Sequence, residues 1–430
     1  MNTKLSRNGY SVIKDDISLS ILKEIKDELT VKPFVLNDFS VGKIKKFKLY
    51  KESNKNLYLP RFYGYNKLGE PLIRNFTNPE TININFMGDL REEQKPIYDI
   101  IYKELTNKGG AILSLKCGGG KTVFALYIAC QLKLKTLVVV HKDFLMTQWK
   151  DRIEQFIPNA TIGKIQQNTI DIENKDVVLA MVQSLSMKEY PPSTFSNFGL
   201  VIFDECHHLG AEVFCKCMPK VASPFMLGLS ATPKRKDGLT KVFEWYIGNI
   251  AYKSKDIIDT ASVKIIKYYN NSVDYSKECL TYQKKPCCPK MINNICNFKP
   301  RTELVINYII DAYNENRNIL VLSDRRNHLQ LMYDILKSKS IDSGFYVGGM
   351  KPSELKVSEN KSIILGTFSM ASEGMDIPKL NTILLASPKS DIIQAVGRIL
   401  RQKPEFRQHT PLIIDFNDEF HYLSIKQKKD

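Results

Sequence analysis

Long apolar runs are missing from this 430-residue chain, which has no stretch approaching the roughly 18 apolar residues that a membrane-spanning helix needs. Its first residues are polar and lack the basic and then apolar pattern of a secretory signal. We therefore expect an intracellular protein without a membrane partner, in which the nine cysteines stay reduced. Paired C-x-x-C units are also missing, which disfavours a zinc site at Cys279, Cys287, Cys288 and Cys296.

Acidic residues are too few to balance the basic ones. The 62 Lys and Arg residues outnumber the 46 Asp and Glu residues, which leaves a formal net charge of +16. Such an excess favours a polyanionic partner, with nucleic acid as the first candidate, although a Lys-rich composition also arises from coding bias alone. The hydrophobic fraction of 43% and the chain length predict two packed core domains plus an appendage rather than disorder.

Residues 1–85 are predicted to form a small α+β accessory domain. Basic side chains alternate with aromatic ones here, as in Lys46, Phe47, Lys48 and Tyr50, and residues 58–64 read Tyr-Leu-Pro-Arg-Phe-Tyr-Gly. This composition suits a nucleic-acid surface, where charge follows phosphates and rings stack on bases. It equally suits a domain whose aromatic residues form its own core. The sequence leaves these two alternatives open.

Short apolar segments alternate with helical ones in two further regions, residues 86–250 and residues 301–430. The predicted strands are Ala111–Leu115, Thr136–Val140, Val177–Ala180, Leu200–Phe203 and Phe225–Leu229 in the first region, and Ile319–Leu322, Ser343–Val347, Ser362–Gly366, Thr382–Ala386 and Leu412–Ile414 in the second. Such alternation predicts an α/β fold with a helix-covered parallel sheet in each region. Residues 251–300 are predicted to be a linker or irregular insertion.

A glycine-rich turn joins the first of these strands to a helix, and residues 115–122 read Leu-Lys-Cys-Gly-Gly-Gly-Lys-Thr. A strand, a glycine turn and a helix that opens on Lys-Thr are typical of a nucleotide phosphate cradle, in which backbone N–H groups approach phosphate oxygens. The lysine is expected to reach the β- and γ-phosphates of ATP, and the threonine hydroxyl to bind Mg²⁺. Leu115 departs from the usual opening glycine. The predicted nucleotide-binding residues of this loop are Gly118, Gly119, Gly120, Lys121 and Thr122.

The apolar segment at residues 200–203 ends in an acidic pair, Asp204 and Glu205. Metal-dependent phosphate chemistry needs carboxylates, and open α/β sheets bind their ligands at the carboxyl ends of the strands. Asp204 is therefore predicted to hold Mg²⁺ opposite Thr122, and Glu205 to orient or deprotonate the attacking water.

The run Asp-Glu-Cys-His at residues 204–207 resembles the D-E-x-H box of superfamily 2 helicases, and other segments between about residues 86 and 418 resemble the family's motifs in the same order. At one of these motifs Met181 replaces the usual Thr, which weakens the phosphate contact implied there. The resemblance implies roles for five further residues of the first region: Gln94 for adenine, Ser230 and Thr232 for coupling hydrolysis to domain movement, and His141 and Gln183 for nucleic acid.

The sixth motif of the family, Q-x-x-G-R-x-x-R, has a counterpart beginning at Gln394. Because Arg398 and Arg401 lie three residues apart, both point to one helix face. A pair of guanidinium groups can neutralise charge that develops on the γ-phosphate. The resemblance therefore implies that Arg398, Arg401 and Gln394 take part in catalysis. Thr367 and Asp376 fall in the likeness of the fifth motif. The resemblance implies that Thr367 contacts the nucleic-acid backbone and that Asp376 contacts the ribose or the facing domain.

The resemblance implies two tandem RecA-like parallel-sheet domains with ATP and Mg²⁺ bound between them. Gln148 and Trp149 fall where the family's first motif that follows the nucleic-acid strand is expected, and this pair looks most like XPB-like DNA helicases. The leading hypothesis is an ATP-dependent DNA helicase or translocase similar to the XPB-like branch and to helicases of phages and large cytoplasmic DNA viruses. Its substrate would be double-stranded, forked or branched DNA, in the cytoplasm or the nucleus of a host. One alternative is a transcript-release or RNA-directed motor of the same superfamily. Another is a non-catalytic nucleic-acid-binding scaffold, although retirement of the motor predicts loss of Lys121, Glu205 or Arg401. The oligomeric state stays open, and a monomer is compatible with these motifs.

Overall fold

The computed structural model describes residues 1–33, 46–76, 79–116, 118–207, 212–233, 238–254, 261–282, 284, 286–373, 375–402 and 406–419. The chain divides into two units, Met1–Lys255 and Asp256–Asp430. Within the described ranges, no helix is both long enough and apolar enough to cross a membrane.

The amino-terminal part of the first unit is a small α+β domain. Its strands are β1 (Thr3–Ser6), β2 (Gly9–Ile13), β3 (Thr30–Val31), β4 (Phe47–Lys48), β5 (Lys51–Glu52), β6 (Asn56–Leu59) and β7 (Ile73–Asn75), and its helices are α1 (Leu19–Glu28) and α2 (Arg61–Leu68). Five strands form a sheet in the order β5-β6-β2-β1-β7, while β3 and β4 pair separately. Ser18 begins α1, because its hydroxyl accepts a hydrogen bond from the backbone N–H of Ile21.

Aromatic residues of this domain form its core. Tyr10, Phe47, Tyr50 and Tyr63 are all at most 9% exposed and pack in one apolar cluster. Of the two alternatives left open by the sequence, burial favours the core, because a ring in a packed cluster does not offer its face to a base. The same cluster includes Val242 from the next domain, so the two domains share a core.

Two arginines add polar contacts between the small domain and the rest of the first unit. The buried guanidinium group of Arg61 donates through Nη1 to the carbonyl oxygens of Gly109, Ser223 and Pro224 at 3.0–3.1 Å. Arg7 donates to the carbonyl oxygen of Ala222 at 2.8 Å. These bonds give the buried guanidinium group acceptors within the neighbouring domain. The small domain is therefore an integral part of the first unit.

The first parallel sheet follows. Its strands are β8 (Gly110–Ser114), β9 (Thr136–Val140), β10 (Ile162–Gln166), β11 (Thr169–Asp171), β12 (Val177–Met181), β13 (Leu200–Phe203), β14 (Phe225–Ser230) and β15 (Ile250–Lys253), and the helices are α3 (Lys95–Lys108), α4 (Lys121–Leu132), α5 (Asp143–Phe156), α6 (Val182–Met187), α7 (Glu212–Cys215), α8 (Met218–Val221) and α9 (Thr240–Ile247). The strand order is β11-β10-β12-β9-β13-β14-β8-β15, and only β10 and β11 pair antiparallel. Strands β8, β9 and β13 are buried throughout, as expected for a sheet covered on both faces.

The second unit contains another parallel sheet. Its strands are β16 (Ser262–Tyr268), β17 (Ile319–Leu322), β18 (Ser343–Tyr346), β19 (Ile363–Gly366), β20 (Thr382–Leu385) and β21 (Leu412–Asp418), and its helices are α10 (Val273–Ser276), α11 (Cys288–Asn297), α12 (Lys299–Asn314), α13 (Arg326–Ser338), α14 (Pro352–Glu359), α15 (Phe368–Glu373) and α16 (Ile393–Val396). The strand order is β16-β21-β20-β17-β19-β18. The predicted α/β class, with two parallel-sheet domains and a small α+β domain, is confirmed.

The segment 251–300 differs from the irregular linker that the sequence suggested. Its first residues belong to β15 in the first sheet, and β16 pairs with β21 over seven residues of the second sheet. Sequence patterning missed β16 because it is an edge strand with exposed side chains at Val263 and Ile265. It therefore lacks the continuous apolar run of a strand buried on both faces.

A buried ion pair holds this segment to the second sheet. The guanidinium group of Arg301 donates to Asp418 from Nε at 2.5 Å and from Nη2 at 2.7 Å, and both side chains are fully buried. Arg301 also donates to the carbonyl oxygen of Ala386, and the Tyr275 hydroxyl donates to Asp418 at 2.8 Å. Tyr275 lies in the segment expected as linker, so this pair anchors α10 as well as α12.

Candidate active site

The glycine-rich turn lies between β8 and α4, as the sequence predicts. Gly118 and Gly120 have φ angles of +75° and +78°, a region that favours glycine. A Cβ atom on Gly120 would approach the side-chain nitrogen of Gln94 to 2.7 Å. Leu115 is 5% exposed and packs in the apolar core, which explains how a leucine replaces the opening glycine.

Gln94 supports this turn directly. It is 4% exposed, and its side-chain N–H donates to the carbonyl oxygen of Gly119 at 2.9 Å. Its side-chain oxygen accepts a hydrogen bond from the backbone N–H of Arg91 at 3.2 Å. The amide is thus positioned against the phosphate loop, and the adenine contact stays a prediction.

The acidic pair meets the loop lysine at the carboxyl end of β13. The Lys121 ammonium lies 3.7 Å from Glu205 Oε1 and donates to the carbonyl oxygen of Leu115 at 3.4 Å. Asp204 is fixed next to it, because its backbone N–H donates to Val139 of the neighbouring strand. Burial, and then the adjacent Glu205 carboxylate, raise the pKa of Asp204 above its ordinary value. A bound cation would oppose both effects and lower the pKa of Asp204 again.

The backbone of Glu205 has a φ angle of +47°, which is uncommon for a residue with a side chain. Such conformations cost free energy and cluster at functional sites. From this position Glu205 Oε2 lies 3.4 Å from His207 Nδ1, and the same nitrogen lies 3.0 Å from the hydroxyl of Ser230. Ser230 Oγ in turn accepts the backbone N–H of Thr232 at 3.1 Å. The two predicted coupling residues therefore connect to the acidic pair through His207.

Two predicted nucleic-acid residues lie together at the carboxyl ends of β9 and β12. The Gln183 side chain donates to the carbonyl oxygen of His141 at 2.7 Å. Because parallel strands β9 and β12 are neighbours, their following residues share one edge of the sheet.

The two predicted arginines of the second unit lie beyond α16, which ends at Val396, so they do not share the helix face that their spacing predicts. Arg398 is 7% exposed and donates to the carbonyl oxygens of Ala371 at 2.6 Å and Met375 at 2.8 Å. Arg401 pairs with Asp376, which brings together two predicted site residues. The remaining two predicted residues of this unit are Thr367, which follows β19, and Gln394, which lies half-buried in α16.

The residues around the turn fit a nucleotide with Mg²⁺. No described side chain caps the amino terminus of α4, so the N–H groups of its first turn are available to phosphate oxygens. Mg²⁺ usually takes only one or two protein ligands, with water and phosphate completing its shell, and Thr122 and Asp204 match that need. Among the described residues, no group of three or more His, Cys, Asp or Glu is arranged to hold a metal ion alone.

Comparison with known proteins agrees with these features. Residues 87–235 match the family model for the res subunit of type III restriction enzymes, and residues 301–403 match the helicase conserved C-terminal domain. A protein of Acanthamoeba polyphaga mimivirus is 39% identical over all of this chain and 84% of its own length. The chain belongs to the superfamily 2 helicases, which are ATP-hydrolysing nucleic-acid motors.

Two further likenesses are to proteins of viruses. The mimivirus protein is provisionally named an ATP-dependent RNA helicase. A protein of African swine fever virus with a similar name is 27% identical over 77% of this chain and 70% of its own length. The crystal structure of T4 UvsW aligns with 100% of this chain and 96% of its own, with 20% identity and a TM-score of 0.40. A structural likeness of that degree carries no functional argument.

Sequence reasoning missed one residue that contacts the acidic pair. The indole N–H of Trp149 donates to Asp204 Oδ2 at 2.8 Å. The sequence assigned Trp149 only to a motif that follows the nucleic-acid strand. Trp149 and Asp204 are 55 positions apart in the chain, and such a separation gives no spacing pattern from which this contact could be predicted.

Proposed function

We propose that this protein is an ATP-driven translocase or helicase that acts on DNA, and that hydrolysis depends on residues of both units. The observation that carries the proposal is the cluster of Lys121, Asp204 and Glu205 at the carboxyl end of the first parallel sheet. The arginine pair belongs to the second sheet domain. Since hydrolysis needs both sets of charges, it requires the two units to act together.

In the proposed reaction, the first unit binds the nucleotide and activates the attacking water. The turn and Lys121 bind the phosphates, while Thr122 and Asp204 hold Mg²⁺, which supplies charge neutralisation at the β- and γ-phosphates. Glu205 orients the attacking water and accepts its proton. The close contact between Glu205 and His207, and the hydrogen bond between His207 and Ser230, then pass the state of the site to the segment after β14.

The two arginines have different surroundings, which supports different roles. Arg401 forms an ion pair with Asp376, whose carboxylate is half-exposed. Because exposed ion pairs stabilise a protein little, Arg401 can replace this partner with a phosphate at a small loss of free energy. Arg398 is buried on two backbone carbonyl oxygens. We therefore assign the γ-phosphate contact first to Arg401, and to Arg398 the task of holding the chain around residues 371–375 that precedes Asp376.

Nucleic acid is proposed to contact His141 and Gln183 in the first unit and Thr367 in the second. These residues follow parallel strands, and contacts of this type to the backbone give little sequence specificity but strong salt dependence. The resemblance to XPB-like motors at Gln148 and Trp149 supports DNA. RNA is the second candidate, because the names of two viral relatives specify an RNA helicase.

The test is the ATPase rate of the purified full-length chain with matched duplex DNA, forked DNA, single-stranded DNA and RNA. We expect duplex or forked DNA to give the largest stimulation, and the stimulation to fall with salt. Lys121→Ala should abolish hydrolysis on every nucleic acid. Stimulation by RNA alone would replace DNA with the second candidate, and undiminished hydrolysis by Lys121→Ala would refute the site itself.

A further inference from the structure

Trp149 lies in α5, is 1% exposed and packs in the core of the first sheet domain. A buried tryptophan usually finds a partner for its N–H group, so a hydrogen bond alone would be unremarkable for a core residue. Here, however, the acceptor is Oδ2 of Asp204, at 2.8 Å. The choice of acceptor is what gives this contact a functional meaning.

With this hydrogen bond, both oxygens of the Asp204 carboxylate accept a hydrogen bond. The other oxygen, Oδ1, accepts the backbone N–H of Glu205 at 3.0 Å. With one donor on each oxygen, rotation of the carboxylate about its last side-chain bond would break a hydrogen bond in a buried setting. An indole N–H is a neutral donor that cannot itself take a proton or accept a hydrogen bond, so it orients the carboxylate without adding charge.

We propose that Trp149 is a positioning residue, whose indole N–H sets the orientation of Asp204 for binding Mg²⁺ with the nucleotide. This inference rests on the proposed role of Asp204 as a Mg²⁺ ligand. Outer-sphere hydrogen bonds to metal ligands orient those ligands, and their loss typically lowers metal affinity by about 10–100-fold. Trp149 acts through Asp204 and has no contact of its own with the reacting atoms.

The chain offers a matched control, since it contains only two tryptophans. The other, Trp245, lies in α9 against the ring of Tyr63 at 5.3 Å between centroids. Trp149→Phe removes the N–H group and keeps an aromatic ring, while Trp245→Phe makes the same chemical change at the contact with the small domain. Both substitutions remove the same number of atoms from partly or fully buried sites.

The first measurement is the affinity of the full-length protein for ADP, with Mg²⁺ and with EDTA, by calorimetry. We expect Trp149→Phe to lose about tenfold or more of the affinity that Mg²⁺ adds, and to keep the affinity for ADP in EDTA. Trp245→Phe should match the wild type in both conditions. A packing role alone would lower the melting temperature of Trp149→Phe without a selective loss of the Mg²⁺-dependent part, and this result would overturn the proposal.

A second measurement does not depend on folding of the Trp149 variant. In Trp245→Phe the only indole is Trp149, so its fluorescence should change when Mg²⁺ and ADP are added together and not with ADP in EDTA.

The variant Asp204→Asn separates the proposed role of Trp149 from the proposed role of Asp204 on which it rests. If Asp204→Asn keeps its Mg²⁺ dependence, the assignment of Asp204 fails. If Asp204→Asn loses this dependence and Trp149→Phe keeps it, only the role of Trp149 fails.

Discussion

Substitution of Asp418 by Asn tests how the second unit is held together. The side chain keeps its shape and its position next to Tyr275, but it loses the charge that balances Arg301. Both partners have fully buried side chains in the wild type. The substitution therefore leaves a guanidinium charge in the core without its paired carboxylate.

The expected cost follows from that burial. Removal of one partner from a buried ion pair typically costs about 3–5 kcal/mol, because the remaining charge stays desolvated. The adjacent Glu419 supplies the control, since its pair with Lys267 spans 3.8 Å between side chains that are 45% and 75% exposed. Exposed pairs contribute about 0–1 kcal/mol, so Glu419→Gln should barely change the free energy of unfolding.

The assay uses the placement of the tryptophans. Trp149 and Trp245 both belong to the first unit, whereas helices and strands occur in both units. In urea, Asp418→Asn should lower the midpoint of a transition detected by far-ultraviolet circular dichroism and leave the tryptophan-fluorescence midpoint in place. A loss below about 1 kcal/mol, or one equal to that of Glu419→Gln, would refute the reasoning from burial.

Two further predictions concern His328 and Gly120. Burial, and then the charge of Arg301, lower the pKa of His328 to about 3. Since the unfolded histidine still titrates near 6.5, acidification from pH 7.5 to 5.0 should lower the free energy of unfolding by about 2 kcal/mol. His328→Gln should remove this contribution to the acid sensitivity. Gly120→Ala should displace the Gln94 amide, which a Cβ would approach to 2.7 Å, and weaken ATP binding in a titration with a fluorescent nucleotide. Gly69→Ala has a similar φ of +84° with no atom within 4 Å of the added Cβ, so it should leave nucleotide affinity unchanged.

A specific result would contradict each of these two predictions. An equal response of the wild type and His328→Gln to acid would mean that other groups determine the acid sensitivity. Equal nucleotide affinities for Gly120→Ala and the wild type would mean that the contact between Gln94 and the turn does not shape the nucleotide site.

The sequence predicted the sheet cores well, and the reason is physical. Strands buried on both faces, such as β9 and β13, consist almost entirely of apolar residues, so their positions follow from composition. The phosphate turn and the acidic pair were found in the same way, because each follows such a strand directly.

Features that depend on contacts with residues far away in the chain were harder to predict from the sequence. The strand β16 has an exposed face and is defined by its pairing with β21, about 150 residues later in the chain. Arg61 reads as one more basic residue of an aromatic-rich segment, yet it is buried on three carbonyl groups of the next domain. Because of these contacts, removal of residues 1–85 would expose the shared core, and point substitutions on the surface are the better probe of that domain.

The central proposal is that ATP hydrolysis needs Arg401 of the second unit. The most direct test compares ATP binding and single-turnover hydrolysis in Arg401→Ala, with Arg317→Ala as a control from the same unit. The account predicts that Arg401→Ala binds ATP with affinity close to that of the wild type but hydrolyses it about 10³-fold or more slowly, the range found for arginines that reach a transferring phosphate. Hydrolysis by Arg401→Ala at the wild-type rate would contradict the account.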